Sequence, residues 1–366
     1  MARVLLVGGG LTSAVTATLI RQTCELANIE LCVWDKARGF GGRMSTSRLS
    51  SNKNSNCLAD LGAQYITATP HYASLHSKYY DELKSSKLLT PLKLPIENKK
   101  SYNDGTTDYI CPLGSSSLVK HFFNKSHTEV NFGMRVSKIE NDAKLWRVYT
   151  ETGDVECFDA LILTIPVPQV LELLGNSPGT NLIGNNETSQ LEKVQYSSRY
   201  AIALLFDGDN EKEQEIIKNE VKLKDGACAK YIYDDGIFRY VSLDSYKRNN
   251  TFNAPDSDKV PLSVVFHTSV PFGIKHVEQN PDDMKPLLLK HIKELFPDWP
   301  EPTAVKCQKW RYSQVRTPYP GEPGCVELHK GPLLLIGGDA FTHSNFDGCI
   351  DSAEALANSF VSSLHT

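Results

Sequence analysis

Three glycines and one acid offer the first chemistry in the chain. Gly8, Gly9 and Gly10 follow the apolar run Val4-Leu5-Leu6-Val7 and precede Leu11-Thr12-Ser13, which opens an Ala/Thr/Leu segment through Ile20. A second apolar run, Glu30-Leu31-Cys32-Val33-Trp34, ends in Asp35. These residue types at this spacing suit a dinucleotide. Gly8 permits a tight turn, Gly10 lets the backbone approach a pyrophosphate, and a helix opening near Leu11 aims free N–H groups and its positive dipole end at that anion. Asp35 stands where a carboxylate accepts from ribose hydroxyls. A lone glycine pattern is a weak signal, and here its third glycine position holds Ser13. Asp35 taken alone reads equally as a turn or helix-cap acid; the order strand, glycine turn, helix, strand, acid favours the ribose. These residues by themselves leave the guest as either NAD or FAD.

Further glycine turns separate the two. Gly39-Phe40-Gly41-Gly42-Arg43-Met44-Ser45-Thr46 follows the acid, Asp60-Leu61-Gly62-Ala63-Gln64-Tyr65-Ile66-Thr67 comes next, and near the end the apolar run 332–336 leads into Gly337-Gly338-Asp339 and then Asp347-Gly348-Cys349-Ile350. In this order the segments resemble the flavin motifs of the monoamine oxidase, protoporphyrinogen oxidase and phytoene desaturase superfamily. That resemblance implies FAD, with Gly42 and Arg43 beside pyrophosphate and flavin and the stretch through Gln64 and Tyr65 passing close to the isoalloxazine. It also implies that the strand residue Val136 meets adenine, that Asp339 bonds the ribityl or pyrophosphate part, and that the helix opening near Ile350 faces the flavin N1–C2=O edge. A positive helix end there would stabilise the charge of the reduced ring. Thr12 and Lys36 complete the expected cofactor contacts. The plain alternatives are a flexible glycine loop, an ordinary strand residue at Val136 and a loop acid at Asp339.

The likeness runs through Pro70-His71-Tyr72-Ala73, Ser197-Ser198-Arg199-Tyr200, Val270-Pro271-Phe272-Gly273, Lys309-Trp310-Arg311 and 344–350, nearly the whole chain. It is similar to the branch of the superfamily that oxidises off-pathway dihydro isomers of NAD and NADP. That resemblance implies an oxidase with non-covalent FAD that takes a 2- or 6-dihydronicotinamide dinucleotide as substrate and reduces O2 to H2O2. A flavin amine (catecholamine) oxidase is the alternative reading, and a non-catalytic extracellular signalling protein that retains flavin is the third. Cys325 does not match the spacing of the flavin-linked cysteine of monoamine oxidases.

Hydride leaves a dihydronicotinamide to give an aromatic pyridinium without any proton being removed, so position and desolvation suffice. An amine must first be neutralised, and no residue stands out as the base. Tyr65, His267 and Asn345 are the catalytic candidates by their segments, with Tyr200 and Arg311 in the same neighbourhoods; His267 and Tyr200 read equally as hydrogen-bonded core residues. Arg199, Arg239, Lys247, Arg248 and Arg311 are cations that could face a diphosphate, although solvation is the ordinary fate of each.

Composition bounds the class. The 366 residues are 40% hydrophobic and 22% charged, enough for two lobes with ordinary cores, and the net charge of −4 argues against a general nucleic-acid binder. No apolar run approaches the roughly 20 residues that span a bilayer. Nine cysteines without a Cys-x-x-Cys pair give neither zinc site nor disulfide framework, and no metal is expected. The segment 3–20 resembles a secretory signal, but its cleavage would delete the pyrophosphate site; a soluble, cytoplasmic protein is expected, with export requiring that the segment be retained.

The expected architecture is α/β: a Rossmann-type FAD-binding domain with a second, mixed β-sheet and helix substrate domain. The boundaries expected are 1–70, 105–166 and 305–366 for the FAD-binding domain and 71–104 and 167–304 for the substrate domain. Strands are expected over 134–139, 146–149 and 159–166, with polar loops at 209–224 and 247–259.

Overall fold

The computed structural model describes the chain except residues 1, 25–28, 51–55, 103–104, 143, 177–183, 208–210, 222, 224–225, 250–260 and 365–366. The polar loops expected at 209–224 and 247–259 lie partly outside the described residues; inside them, Glu211–Glu220 and Asp244–Asn249 are helices. The chain divides into two compact units, 1–42, 118–196 and 314–366 forming the first and 43–117 and 197–313 the second.

The first unit is built on a six-stranded sheet, ordered Cys325–Lys330, Leu333–Gly337, Ala160–Leu163, Ala2–Val7, Ile29–Asp35 and Glu129–Phe132. All neighbours are parallel except the terminal hairpin. Strands buried on both faces need continuous apolar runs, which is why Val4 to Val7 and Leu333 to Ile336 carry no polar alternation. Leu5, Val7, Leu161, Leu163, Leu334 and Ile336 pack with Trp146, Val148 and Phe158 of the antiparallel sheet Val136–Asp142, Leu145–Thr150 and Val155–Phe158, and with Val170 and Leu173 of the helix Val167–Gly175. The first helix, Leu11–Thr23, packs on the last, Phe346–Ser363.

The second unit centres on a sheet ordered Ala304–Trp310, Arg199–Phe206, Leu262–Thr268, Phe238–Leu243, Ala229–Tyr231 and Ile96–Glu97, antiparallel except at its last pair. Period-two alternation divides its residues. Tyr200, Ile202, Leu204, Phe238, Val264 and Phe266 point to one face, where Leu288, Ile292 and Trp299 cover them. Ala201, Ala203 and Val265 point to the other and meet Leu49 and Ala59 of the paired strands Thr46–Ser50 and Asn56–Asp60, and Leu61 just after them.

These pairings move the divisions between units away from the expected boundaries. Residues 43–70 and 105–117 go with the second unit, because Leu49, Ala59 and Leu61 are buried on its sheet and Ile66–Ala68 pairs with Thr107–Ile110. Ala304–Trp310 is an edge strand of that sheet. Residues 167–196 go with the first unit, where Val167, Leu191 and Val194 join its core. Among the described residues no helix is long and apolar enough to cross a membrane.

Candidate functional site

In the first unit the glycine turn is held by close contacts. Gly8 has φ +116°, and a Cβ there would lie 2.7 Å from Thr164 Oγ1, so only glycine fits. Its N–H donates to Trp34 O at 2.9 Å. The first helix begins at Leu11 with Gly10 as its N-cap; no side chain caps it and no acid stands in its first turn. A Cβ on Gly10 would meet nothing within 4 Å. The helix end is thus a bare set of N–H donors beneath open space, which an anion satisfies. Thr12 is buried in that first turn. Asp35 ends its strand with one carboxylate oxygen accepting from Gly9 N–H and the other from Ala37 N–H at 2.6 Å. Both bonds orient the carboxylate beside the turn and leave lone pairs for further donors. Lys36 is exposed, and Gly41 N–H donates to Gly9 O at 3.1 Å, tying the Gly41-Gly42 turn to the first. The arrangement fits the pyrophosphate and ribose of a flavin dinucleotide.

The closing segment of this unit is equally constrained. Asp339 is buried after strand Leu333–Gly337 and accepts from Ser344 Oγ at 2.8 Å. Asn345 caps the final helix by accepting from Gly348 N–H at 2.7 Å, and Ile350 is fully buried in that helix. Val136 opens its strand opposite Thr150, half-buried against the core. Cys325 is half-buried on the edge strand, and burial pushes its thiol up to about 11.

In the second unit, Arg43 leads into a pinned loop. Ala63 N–H donates to Arg43 O at 2.9 Å, and a Cβ on Gly62 would collide with the same oxygen. The next residues enter a polar network on the sheet face that carries Ala201. Gln64 Nε2 lies 3.3 Å from His267 Nε2, while Gln64 Oε1 accepts from Lys247 Nζ at 2.9 Å and Ser242 Oγ at 3.2 Å. Tyr65 and Tyr231 share a hydroxyl–hydroxyl bond of 2.6 Å, the Tyr231 ring meets Tyr240 edge-on, and Tyr240 meets His267 the same way at 5.9 Å. Burial, with the Arg199 and Lys247 charges nearby, lowers the His267 pKa to about 3, so its ring is neutral at physiological pH. Burial and Tyr231 hold the Tyr65 hydroxyl well above the usual phenol range.

A buried ion cluster supports this face. Lys247 Nζ reaches Asp244 Oδ1 at 2.5 Å, and Arg248 bonds Asp244 and, at 3.1 Å, Asp60 Oδ2. Burial raises the Asp244 pKa, but Lys247 and Arg248 outweigh it and hold it below its usual value. Thr46 Oγ1 and Ser115 N–H occupy Asp60 Oδ1 at 2.6 and 3.0 Å. Lys247 and Arg248 are therefore consumed inside the fold and do not face a diphosphate. Arg311 pairs with Glu278 at the surface, and Tyr200 turns to the opposite core with its hydroxyl on the His276 and Gln279 carbonyls.

A parallel sheet whose glycine turn opens on an uncapped helix N-terminus, with Asp35 closing the next strand, defines a dinucleotide-binding fold. Residues 96–359 match the family described as flavin containing amine oxidoreductase, and residues 6–83 match the NAD(P)-binding Rossmann-like domain. The chain belongs to this flavin-containing amine oxidoreductase family, within its renalase group. It is 41% identical over 355 residues to renalase of Mus musculus, an alignment covering 96% of this chain and 97% of that protein. Its fold is similar to that of a protein from Exiguobacterium sp. 255-15 assigned as a protoporphyrinogen oxidase, at a TM-score of 0.67 and 12% identity over 100% of this chain and 99% of the other. Cyclohexylamine oxidase of Brevibacterium oxydans IH-35A gives a TM-score of 0.64 at 9% identity over 100% of both chains.

Of the catalytic candidates, Tyr65 and His267 fall in one network of the second unit, whereas Asn345 is spent as a helix cap in the first. Gln64, expected at the cofactor, has its amide engaged by His267, Lys247 and Ser242. Sequence reading missed Tyr231, Tyr240, Ser242 and Asp244. The alternation of 229–231 and 238–243 was the available signal, but only the strand pairing puts these residues beside His267.

Proposed function

We propose that this oxidoreductase is an FAD-dependent oxidase of 2- and 6-dihydro isomers of NAD(P), consuming the substrate, O2 and one proton to give NAD(P)+ and H2O2. Bound FAD supplies a two-electron acceptor that oxygen can reoxidise. The turn at Gly8, Gly10 and Thr12 holds the pyrophosphate by backbone N–H groups, and Asp35, already oriented by Gly9 and Ala37, takes the ribose. Lys36, next to Asp35, is assigned to the cofactor, Gly42, Arg43, Gln64 and Tyr65 to the flavin half, Val136 to adenine, and Asp339 with the helix turn at Ile350 to the ribityl and ring edge. FAD is held without a covalent bond.

The observation that carries the substrate reading is that the candidate substrate face pairs an uncharged imidazole and an uncharged phenol with acids that are already engaged. His267 and Tyr65 are both held uncharged, and the acids of this network, Asp60 and Asp244, are engaged by Arg248 and Lys247. Such a face orients and desolvates a ring that needs to lose only hydride; a protonated amine would meet no free carboxylate in this network. Tyr65 and His267 act by positioning, through hydrogen bonds from a neutral hydroxyl and imidazole.

Anaerobic mixing tests this. Rapid bleaching of the flavin by the 2- or 6-dihydro isomers, with negligible bleaching by dopamine or adrenaline, is expected. Bleaching by catecholamines alone would overturn the reading in favour of amine oxidation, and bleaching by neither would favour a non-catalytic protein.

A further inference from the structure

Of the five cations that the sequence offers for a diphosphate, the fold removes three. Lys247 and Arg248 are neutralised by Asp244 and Asp60, and Arg311 by Glu278. Arg199 and Arg239 differ: among the described residues neither pairs with a carboxylate. Arg199 donates from Nη1 to the Thr268 carbonyl at 3.0 Å, and Arg239 donates from Nη1 to Ile232 O at 3.2 Å with its guanidinium 4.9 Å from the Tyr233 ring centre. Arg199 is only partly exposed; burial lowers its pKa, Tyr231 offsets part of this, and Arg239 lowers it further. A guanidinium withdrawn from water beside a second cation, with no counterion, costs free energy that an arriving anion relieves.

Its position says which anion. Ala201 is directly opposite His267, and Arg199 lies two residues earlier on the same strand, hence on the same face and roughly 7 Å along it. Ala201 projects only a methyl group between them. A ring beside His267 would have its own ribose phosphate within reach of Arg199. The geometry points to Arg199, assisted by Arg239, as the anchor for the diphosphate of the substrate, an inference that rests on the dihydronicotinamide reading above. Planar donors of a guanidinium match phosphate oxygens two at a time, which lysine cannot reproduce.

The test uses the holoenzyme and two substrates, a dihydronicotinamide dinucleotide and the corresponding dihydronicotinamide riboside, which carries no phosphate. Arg199→Gln should raise KM for the dinucleotide about tenfold or more with kcat retained, leave KM for the riboside unchanged, and let Arg199→Lys recover part of the loss. An equal effect on both compounds, or on neither, overturns the assignment. ADP-ribose, which has the diphosphate but no ring to oxidise, gives a readout independent of turnover: calorimetry should show it bound by the wild type and weakened about tenfold or more by Arg199→Gln and by Arg239→Gln, at unchanged flavin content and melting temperature. If no dihydronicotinamide is oxidised yet ADP-ribose binding depends on Arg199, the substrate reading fails and the anion site stands. If turnover is seen but neither KM nor ADP-ribose binding responds to Arg199, the anion site fails alone.

Discussion

Gln64 and His267 meet through their Nε2 atoms at 3.3 Å, and the remainder of the Gln64 amide decides which of them donates. Its Oε1 accepts from Lys247 and Ser242. The opposite end is therefore the NH2 group, His267 Nε2 is the acceptor, and the imidazole proton sits on Nδ1. A cation at one end of the amide thus selects the tautomer at the other.

Gln64→Glu replaces that donor by an acceptor and brings a carboxylate to the ring. The His267 pKa should rise from about 3 by about one to three units, read by NMR titration of the imidazole. A value that stayed near 3 would show that desolvation alone governs the ring.

His267 also predicts an acid sensitivity. Its pKa falls from 6.5 to about 3 on folding, so below pH 6.5 the unfolded chain binds a proton that the folded chain refuses, and stability drops as pH falls; above 6.5 both states are neutral and the residue contributes nothing. The loss at about pH 5 is on the order of 2 kcal/mol relative to about pH 7. Urea unfolding across that range should be less pH-dependent in His267→Gln, and an unaltered slope would count against the assignment.

The two kinds of ion pair in the second unit should behave differently. Arg248→Met leaves Asp60 and Asp244 buried without their guanidinium and should cost about 3 to 5 kcal/mol of unfolding free energy. Arg311→Met breaks the exposed pair with Glu278 and a long bond to the Val277 carbonyl, and should cost about 1 kcal/mol or less. Denaturant melts of both variants decide it; equal costs would contradict the burial argument.

Cofactor retention tests the nucleotide assignment. Asp35→Ala and Arg43→Ala should each weaken FAD binding about tenfold to a hundredfold, measured as flavin lost on dilution and ultrafiltration, with Arg311→Met as the comparison that keeps its flavin. Stoichiometric flavin in both variants would place the dinucleotide elsewhere.

Acid precipitation should release the flavin into the supernatant. Cys325 is half-buried with its thiol pushed up to about 11, a poor state for attack on a ring. Flavin in the pellet would implicate a covalent link.

The nucleotide-binding turn was legible residue by residue because its requirements are local. Gly8 needs φ +116°, Gly10 needs an uncovered Cα, and Asp35 ends the next strand, all within one strand–helix–strand passage where chain neighbours decide the conformation. The strand character of 201–206 and 263–268 could be read from their apolar alternation for the same reason, within the observed strands Arg199–Phe206 and Leu262–Thr268. Division into units could not, since the burial of Leu49 and Ala59 on Ala201 and Val265 joins residues more than a hundred positions apart, and no local pattern encodes the partner of an apolar side chain. The cations make the same point: Arg199, Lys247, Arg248 and Arg311 are equivalent charges in the sequence. Tertiary structure buries Lys247 and Arg248 against Asp244 and Asp60, spends Arg311 on Glu278, and leaves Arg199 beside His267 with, among the described residues, a backbone carbonyl and no carboxylate as partner, because the strength of a charge depends on its solvent and its counterion, and both are set by contacts distant in the chain.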